Sequence, residues 1–125
     1  MTKIAIVEDD PAISQMYRIK FEAENYTVET AENGKLGYEL AQEMKPDIIL
    51  LDLMMPIMTG EEMLAKLRKA PWGKDIQVII LTNRGEQEIP DSVRALGVDA
   101  IILKAAMTPR QVAELVKTKL SEKHS

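Results

Sequence analysis

The sequence predicts an α/β domain, a doubly wound five-stranded parallel sheet covered by five helices, and three observations lead there. First, Ile48-Ile-Leu-Leu51 is an unbroken apolar run bounded by Asp47 and Asp52, the pattern of a strand buried on both faces in mid-sheet. Second, short runs of this kind alternate along the chain with segments whose apolar residues recur at helical spacing. Third, the inner runs end in polar groups: Glu8-Asp9-Asp10, Asp52, Thr82 and Lys104. Open α/β sheets bind ligands at that carboxyl edge, and right-handed crossovers put helices on both faces.

The elements follow in order. Lys3-Ile-Ala-Ile-Val7 is the first inner strand. Asp10 is near the cap of the next helix and Pro11 suits its first turn; Ile13, Met16, Tyr17 and Phe21 carry its periodicity over 11–24. Tyr26–Thr30 alternates and reads as the second strand. Asn33-Gly34 is a turn, and Leu36, Leu40 and Met44 mark a helix that stops before Pro46. The central strand occupies Asp47 to Leu51 with Asp52 at its carboxyl end, and Pro56 and Gly60 interrupt the chain before a helix carrying Met63, Leu64 and Leu67. Pro71-Trp-Gly73 closes that helix, and Ile76–Leu81 is the fourth strand, ending in Thr82. Positions 86–96 are the least regular helix: Pro90 removes a helical donor, so the helix starts there and Gly97 caps it. Val98–Leu103 is the fifth strand, ending in Lys104. Thr108-Pro109 opens a last helix carrying Val112, Leu115, Val116 and Leu120. A single domain over 1–125 is expected.

Composition narrows the function. The 125 residues suit one domain with a core, and 46% hydrophobic with 29% charged residues is ordinary for a globular chain. Absence of cysteine rules out disulfides and thiolate chemistry. The one histidine, His124, is next to the end, which argues against a histidine base or histidine metal site. A net charge of −4 and pI near 5.1 argue against direct nucleic-acid binding. No run approaches the roughly 20 apolar residues of a membrane span and no signal-peptide pattern opens the chain, so a cytoplasmic location is expected.

The strand-end groups carry the chemistry. Each alone has an ordinary reading: Asp10 or Asp52 as a cap or turn former, Thr82 as a turn hydroxyl, Lys104 as a surface lysine. Their joint placement at one sheet edge points further. Crowded carboxylates repel unless a cation is present. Oxygen donors suit Mg²⁺, completed by water and phosphate oxygens. Asp52 would be ligand and nucleophile, since an aspartate can form an aspartyl-phosphate. Thr82 and Lys104 would hold the new phosphoryl oxygens.

With Glu8-Asp9-Asp10, Asp52-Leu-Met-Met-Pro56-x-x-x-Gly60, Thr82 and Lys104 at these spacings, essentially the whole chain resembles the receiver domain of two-component response regulators, including the stand-alone chemotaxis type, with a flavodoxin-like fold. The resemblance implies that Asp9 and Asp10 position Mg²⁺, Asp10 more directly, with the Met54 backbone carbonyl a further ligand. It implies that Asp52 accepts phosphate from a histidine kinase or phosphotransfer protein and that Thr82 and Lys104 read out the phosphorylated state. Such a protein is a phosphoacceptor that slowly hydrolyses its own aspartyl-phosphate, not a turnover enzyme. With no output domain after Lys123, it is expected to signal to an unknown protein target through the last helix, the fifth strand and the helix around 90–96. A monomer or weak dimer through that face is expected. The alternative is a degenerate receiver, a phosphorylation-independent interaction module. A dehalogenase-like phosphatase also forms an aspartyl-phosphate, but it wants a general-acid aspartate two residues after the nucleophile, where this chain has Met54.

Three positions depart from the family pattern. Ala105 stands where a proline joined by a cis bond is usual; a non-proline cis bond costs about 2.5–4 kcal/mol, so the bond is trans or the site stores strain. Ile101 replaces the aromatic switch residue, and Asn83 replaces a small alanine. By the same resemblance Met54 and Arg84, two residues past Asp52 and Thr82, would flank the approach of a hydrolytic water; neither acts as a base, which predicts a persistent phosphoryl group.

Overall fold

The computed structural model describes residues 2–83 and 89–124. Its elements run β1 (Lys3–Val7), α1 (Pro11–Ala23), β2 (Thr27–Ala31), α2 (Gly34–Met44), β3 (Ile48–Asp52), α3 (Gly60–Lys69), β4 (Gln77–Thr82), α4 (Asp91–Arg94), β5 (Ala100–Leu103) and α5 (Pro109–His124). The strands form one parallel sheet in the order β2-β1-β3-β4-β5. The expected doubly wound architecture is therefore present. β3, fully buried along its length, lies at the centre.

Two apolar layers sandwich the sheet. On one side Tyr17 and Phe21 of α1 and Val112, Val116 and Leu120 of α5 pack on Ile4, Ile6, Ile48, Leu50, Ile79 and Leu81. On the other, Met63, Leu64 and Leu67 of α3 and Val93 of α4 pack on Ala5, Val7, Ile49, Leu51, Val78 and Ile80. Alternate residues of the inner strands supply the two layers, which is why those strands read as continuous apolar runs.

Local chemistry sets the helix starts. Asp10 caps α1 and Pro11 occupies its first turn. Asn33, expected in a turn, caps α2 by accepting from Leu36 N at 2.8 Å. Thr59 and Glu62 form a reciprocal capping box on α3, as Thr108 and Gln111 do on α5. Gly60 starts α3 against the end of β3: a Cβ there would collide with Asp52 O.

Several boundaries differ from expectation. β2 lies one residue later than Tyr26–Thr30, in the register that pairs Val7 with Ala31. β5 starts at Ala100 rather than Val98, because the Asp99 carboxylate takes the Val78 amide at 2.8 Å and ends the pairing there. α4 is short, follows Pro90 and closes at Gly97, whose φ is 79°. No peptide bond among the described residues is cis, so Lys104–Ala105 is trans.

Candidate functional site

The strand order reverses direction between β1 and β3, and there the carboxyl edge opens. β1 ends at Val7, so Glu8 and Asp9 are the first residues to leave it, facing the end of β3 at Asp52. Carboxylate oxygens of Glu8, Asp9 and Asp52 all lie within 4.8 Å of one another. Glu8 and Asp52 are buried, whereas Asp9 is exposed.

Asp10, expected with Asp9 to position the metal, is not one of these three. Its Oδ1 accepts from the amides of Ala12 at 2.9 Å and Ile13 at 3.4 Å. Capping satisfies orphan helix donors, and this geometry turns the carboxylate toward α1. Glu8, unassigned by sequence reasoning, takes the place beside Asp52. The signal was available: Asp10-Pro11 already reads as cap and first helical residue.

The remaining strand ends form a staircase. Asp52 pairs with Leu81 and Thr82 with Leu103. Lys104 N donates to Thr82 O at 2.8 Å, which carries the chain one step past β5. Thr82 is buried at the end of β4. Lys104 Nζ lies 2.5 Å from Glu8 Oε1 and 3.4 Å from Asp52 Oδ2. The longer glutamate reaches the ammonium first. Asp52 Oδ1 accepts from Met54 N at 3.1 Å, so both oxygens of Asp52 are oriented.

Burial pushes the Glu8 carboxyl up to about 7; Lys104 and the Asp10 amide work against the rise, and Asp52 adds to it. Burial by itself would lower Lys104, but Glu8 and Asp52 outweigh it and hold the ammonium above its ordinary value. Glu8 and Asp52 share this lysine and Asp9 lies beside them, so negative charge is left in excess. All-oxygen donors carrying excess charge fit a hard divalent cation such as Mg²⁺. Glu8, Asp9 and Asp52 would hold it and it would neutralise phosphoryl oxygens; the Met54 carbonyl remains the ligand implied by resemblance.

The cleft over Asp52 has a volume of about 350 Å³ and is lined by Glu8, Asp9, Asp10, Asp52, Met54, Asn83 and Lys104. Asn83, singled out as a departure, is thus at its mouth. Ile101 is half-buried, pairs with Ile80 and packs against the layer holding Val93 and Ile89. Arg84 lies outside the described residues.

A parallel sheet in this order, with a buried aspartate, further acids and a lysine at its reversal point, is the architecture of a CheY-like signalling domain. The comparisons agree. A family model described as the response regulator receiver domain matches residues 4–117, and the chain belongs to that family. A CheY-like response regulator receiver domain protein from Methanospirillum hungatei superposes with a TM-score of 0.90 at 31% identity, covering 99% of this chain and 97% of that one. The response regulator TrrA of Thermotoga maritima, crystallised with Mg²⁺ and BeF, gives 0.82 at 30% identity, covering 96% and 99%. The phosphate regulon transcriptional regulatory protein PhoB of Rhizobium meliloti is 36% identical over 115 residues, 92% of this chain and 51% of its own length. The chain spans about half the length of the curated relatives it matches. It is a receiver domain of the response regulator type.

Proposed function

We propose that Asp52 accepts a phosphoryl group from the phosphohistidine of a histidine kinase or phosphotransfer protein. The observation that carries this reading is the buried Asp52 carboxylate at the end of the central strand, beside Glu8 and Asp9 and 3.4 Å from the Lys104 ammonium. A carboxylate oxygen attacks phosphorus, the phosphorus–nitrogen bond breaks, and the imidazole leaves with the bonding pair. Lys104, already oriented, pairs with a phosphoryl oxygen, and the Thr82 hydroxyl donates to another. Glu8, Asp9 and Asp52 would hold Mg²⁺, which would neutralise charge on the phosphoryl oxygens. The transfer is stoichiometric, with slow self-hydrolysis, so the protein is a signal carrier and not a turnover enzyme.

The phosphorylated state acts on a protein target through the α4-β5-α5 face, as a monomer or weak dimer, in the cytoplasm. Among the described residues no helix is long and apolar enough to cross a membrane, which fits that location. The test is intact mass after treatment with a small phosphodonor and Mg²⁺. Gain of one phosphoryl group by the native chain but not by Asp52→Asn supports the reading. No gain in either would leave a phosphorylation-independent interaction module.

A further inference from the structure

Arg68, in the last turn of α3, is half-buried, with its guanidinium turned onto two neighbouring loops. Its Nε donates to Leu96 O at 2.6 Å and Nη2 to Gly97 O at 2.7 Å, both just beyond α4. Its Nη1 donates to Gly73 O at 2.9 Å, Ile76 O at 2.8 Å and Lys74 O at 3.3 Å, in the segment entering β4. One planar guanidinium thus gathers carbonyls from two loops onto α3. Only arginine offers that fork of donors, and bonds from a charged donor are the stronger kind.

The other end of α4 is held differently. Ser92 Oγ donates to Glu61 Oε1 at 2.8 Å, an exposed bond between α4 and the first turn of α3. The helix start at Pro90 has no side-chain cap. A cavity of about 160 Å³ lies between Pro90 and Val93 and the loop after β3, where Leu53, Met54 and Thr59 line it. Val93, fully buried between the two ends, keeps the helix on the core. The end of α4 nearest Asp52 therefore has an exposed tether and free volume, while the far end has the charged clamp.

We infer that α4 is hinged on α3: Arg68 fixes its Leu96–Gly97 end, and the Ser92–Glu61 bond is the releasable latch of its Pro90 end. Arg68 is in this sense a positioning residue for the face proposed to meet the target. The hinge is a property of the unphosphorylated protein; only its use in signalling rests on phosphorylation of Asp52. Motion then swings the Pro90 end across the cavity beside Met54 while the Gly97 end stays in place.

Residue-resolved amide hydrogen exchange of the full, untreated chain tests the hinge. Ser92→Ala, at an exposed site, is expected to speed exchange at Val93, Arg94 and Ala95 by about fivefold, leaving Leu96 and Gly97 close to native rates. Arg68→Lys keeps the charge but loses the fork, and is expected to speed Leu96 and Gly97 instead. Uniform acceleration from residue 91 to 97 in Ser92→Ala, or native rates at Leu96 and Gly97 in Arg68→Lys, overturns the inference. A second readout is the amide shift change on adding Mg²⁺ and beryllofluoride. It should concentrate at residues 91–93 in the native protein and extend to Gly97 in Arg68→Lys; equal spreading in both also overturns it. The exchange measurement needs no phosphorylation, so failure of the hinge and failure of Asp52 to accept phosphate are read separately. If Arg68→Lys does not fold, the Ser92→Ala gradient decides alone.

Discussion

Replacing Glu8 with glutamine probes the charge balance of the site most directly. Glu8 is 2% exposed, and burial pushes its carboxyl up from 4.5 to about 7. Between those values the folded protein keeps a proton that the unfolded chain has released. The stability Glu8 contributes is therefore fully present below about 4.5 and lost as pH rises through about 7. At roughly 1.4 kcal/mol per pH unit the loss is at most about 3.5 kcal/mol. Glutamine keeps the shape of the neutral acid and does not titrate, but its amide is a weaker partner for Lys104. That lost ion pair offsets part of the gain, so Glu8→Gln should exceed the native protein by about 1–2 kcal/mol at about pH 8. In a domain of this size that is roughly 3–8 °C in Tm. The difference should fall as pH falls and reverse sign by about pH 5, where native Glu8 holds its proton and the variant only lacks the Lys104 contact. Thermal melts in EDTA at several pH values measure it. Added Mg²⁺ should stabilise the native protein increasingly as pH rises and close the gap, since metal binding favours the ionised acid. A difference independent of pH, or a variant growing less stable as pH rises, would refute the assignment of Glu8 as the strained member of the cluster.

Further outcomes follow from particular contacts. Asp10→Ala removes the α1 cap and should cost about 1 kcal/mol in denaturant melts, while Asp10→Asn should cost little; Mg²⁺ affinity measured calorimetrically should fall far more in Asp9→Asn than in Asp10→Asn. Ile57 is 79% exposed and has φ 70°, with Met58 N bonded to Pro56 O at 2.7 Å. This is a γ-turn with positive φ, strained for a β-branched residue. Ile57→Asn should therefore raise stability by about 1 kcal/mol, and a lower Tm would contradict the strain. Met54 is 56% exposed over the cleft and cannot orient a water. Met54→Asn should release phosphate from phosphorylated Asp52 several-fold faster, as read by a phosphate sensor; slower release would give Met54 the opposite role.

Much of the architecture was legible in the chain by itself, for physical reasons that act locally. A strand buried on both faces leaves an unbroken apolar run, and β3 did so at Ile48–Leu51. Caps announce themselves through side chains that serve their own helix start, as Asp10-Pro11 and Thr108-Pro109 do. The strand-end groups could be placed on one edge because parallel strands joined by helices all point the same way.

What the chain could not reveal depends on groups distant in sequence. Adjacent acids at a strand end look equivalent; β1 pairing with both neighbours fixes its last residue as Val7, and a one-residue shift exchanges Glu8 for Asp10 beside Asp52. The preference of Lys104 for Glu8 over Asp52 arises from the reach of a longer side chain across the reversal point. Arg68 reads as one more cation on the polar face of a helix; it becomes a clamp only where tertiary packing brings the Gly73–Ile76 and Leu96–Gly97 carbonyls around it. Sequence pattern records which face of an element is buried, whereas directional bonds between remote loops exist only once the sheet has assembled them.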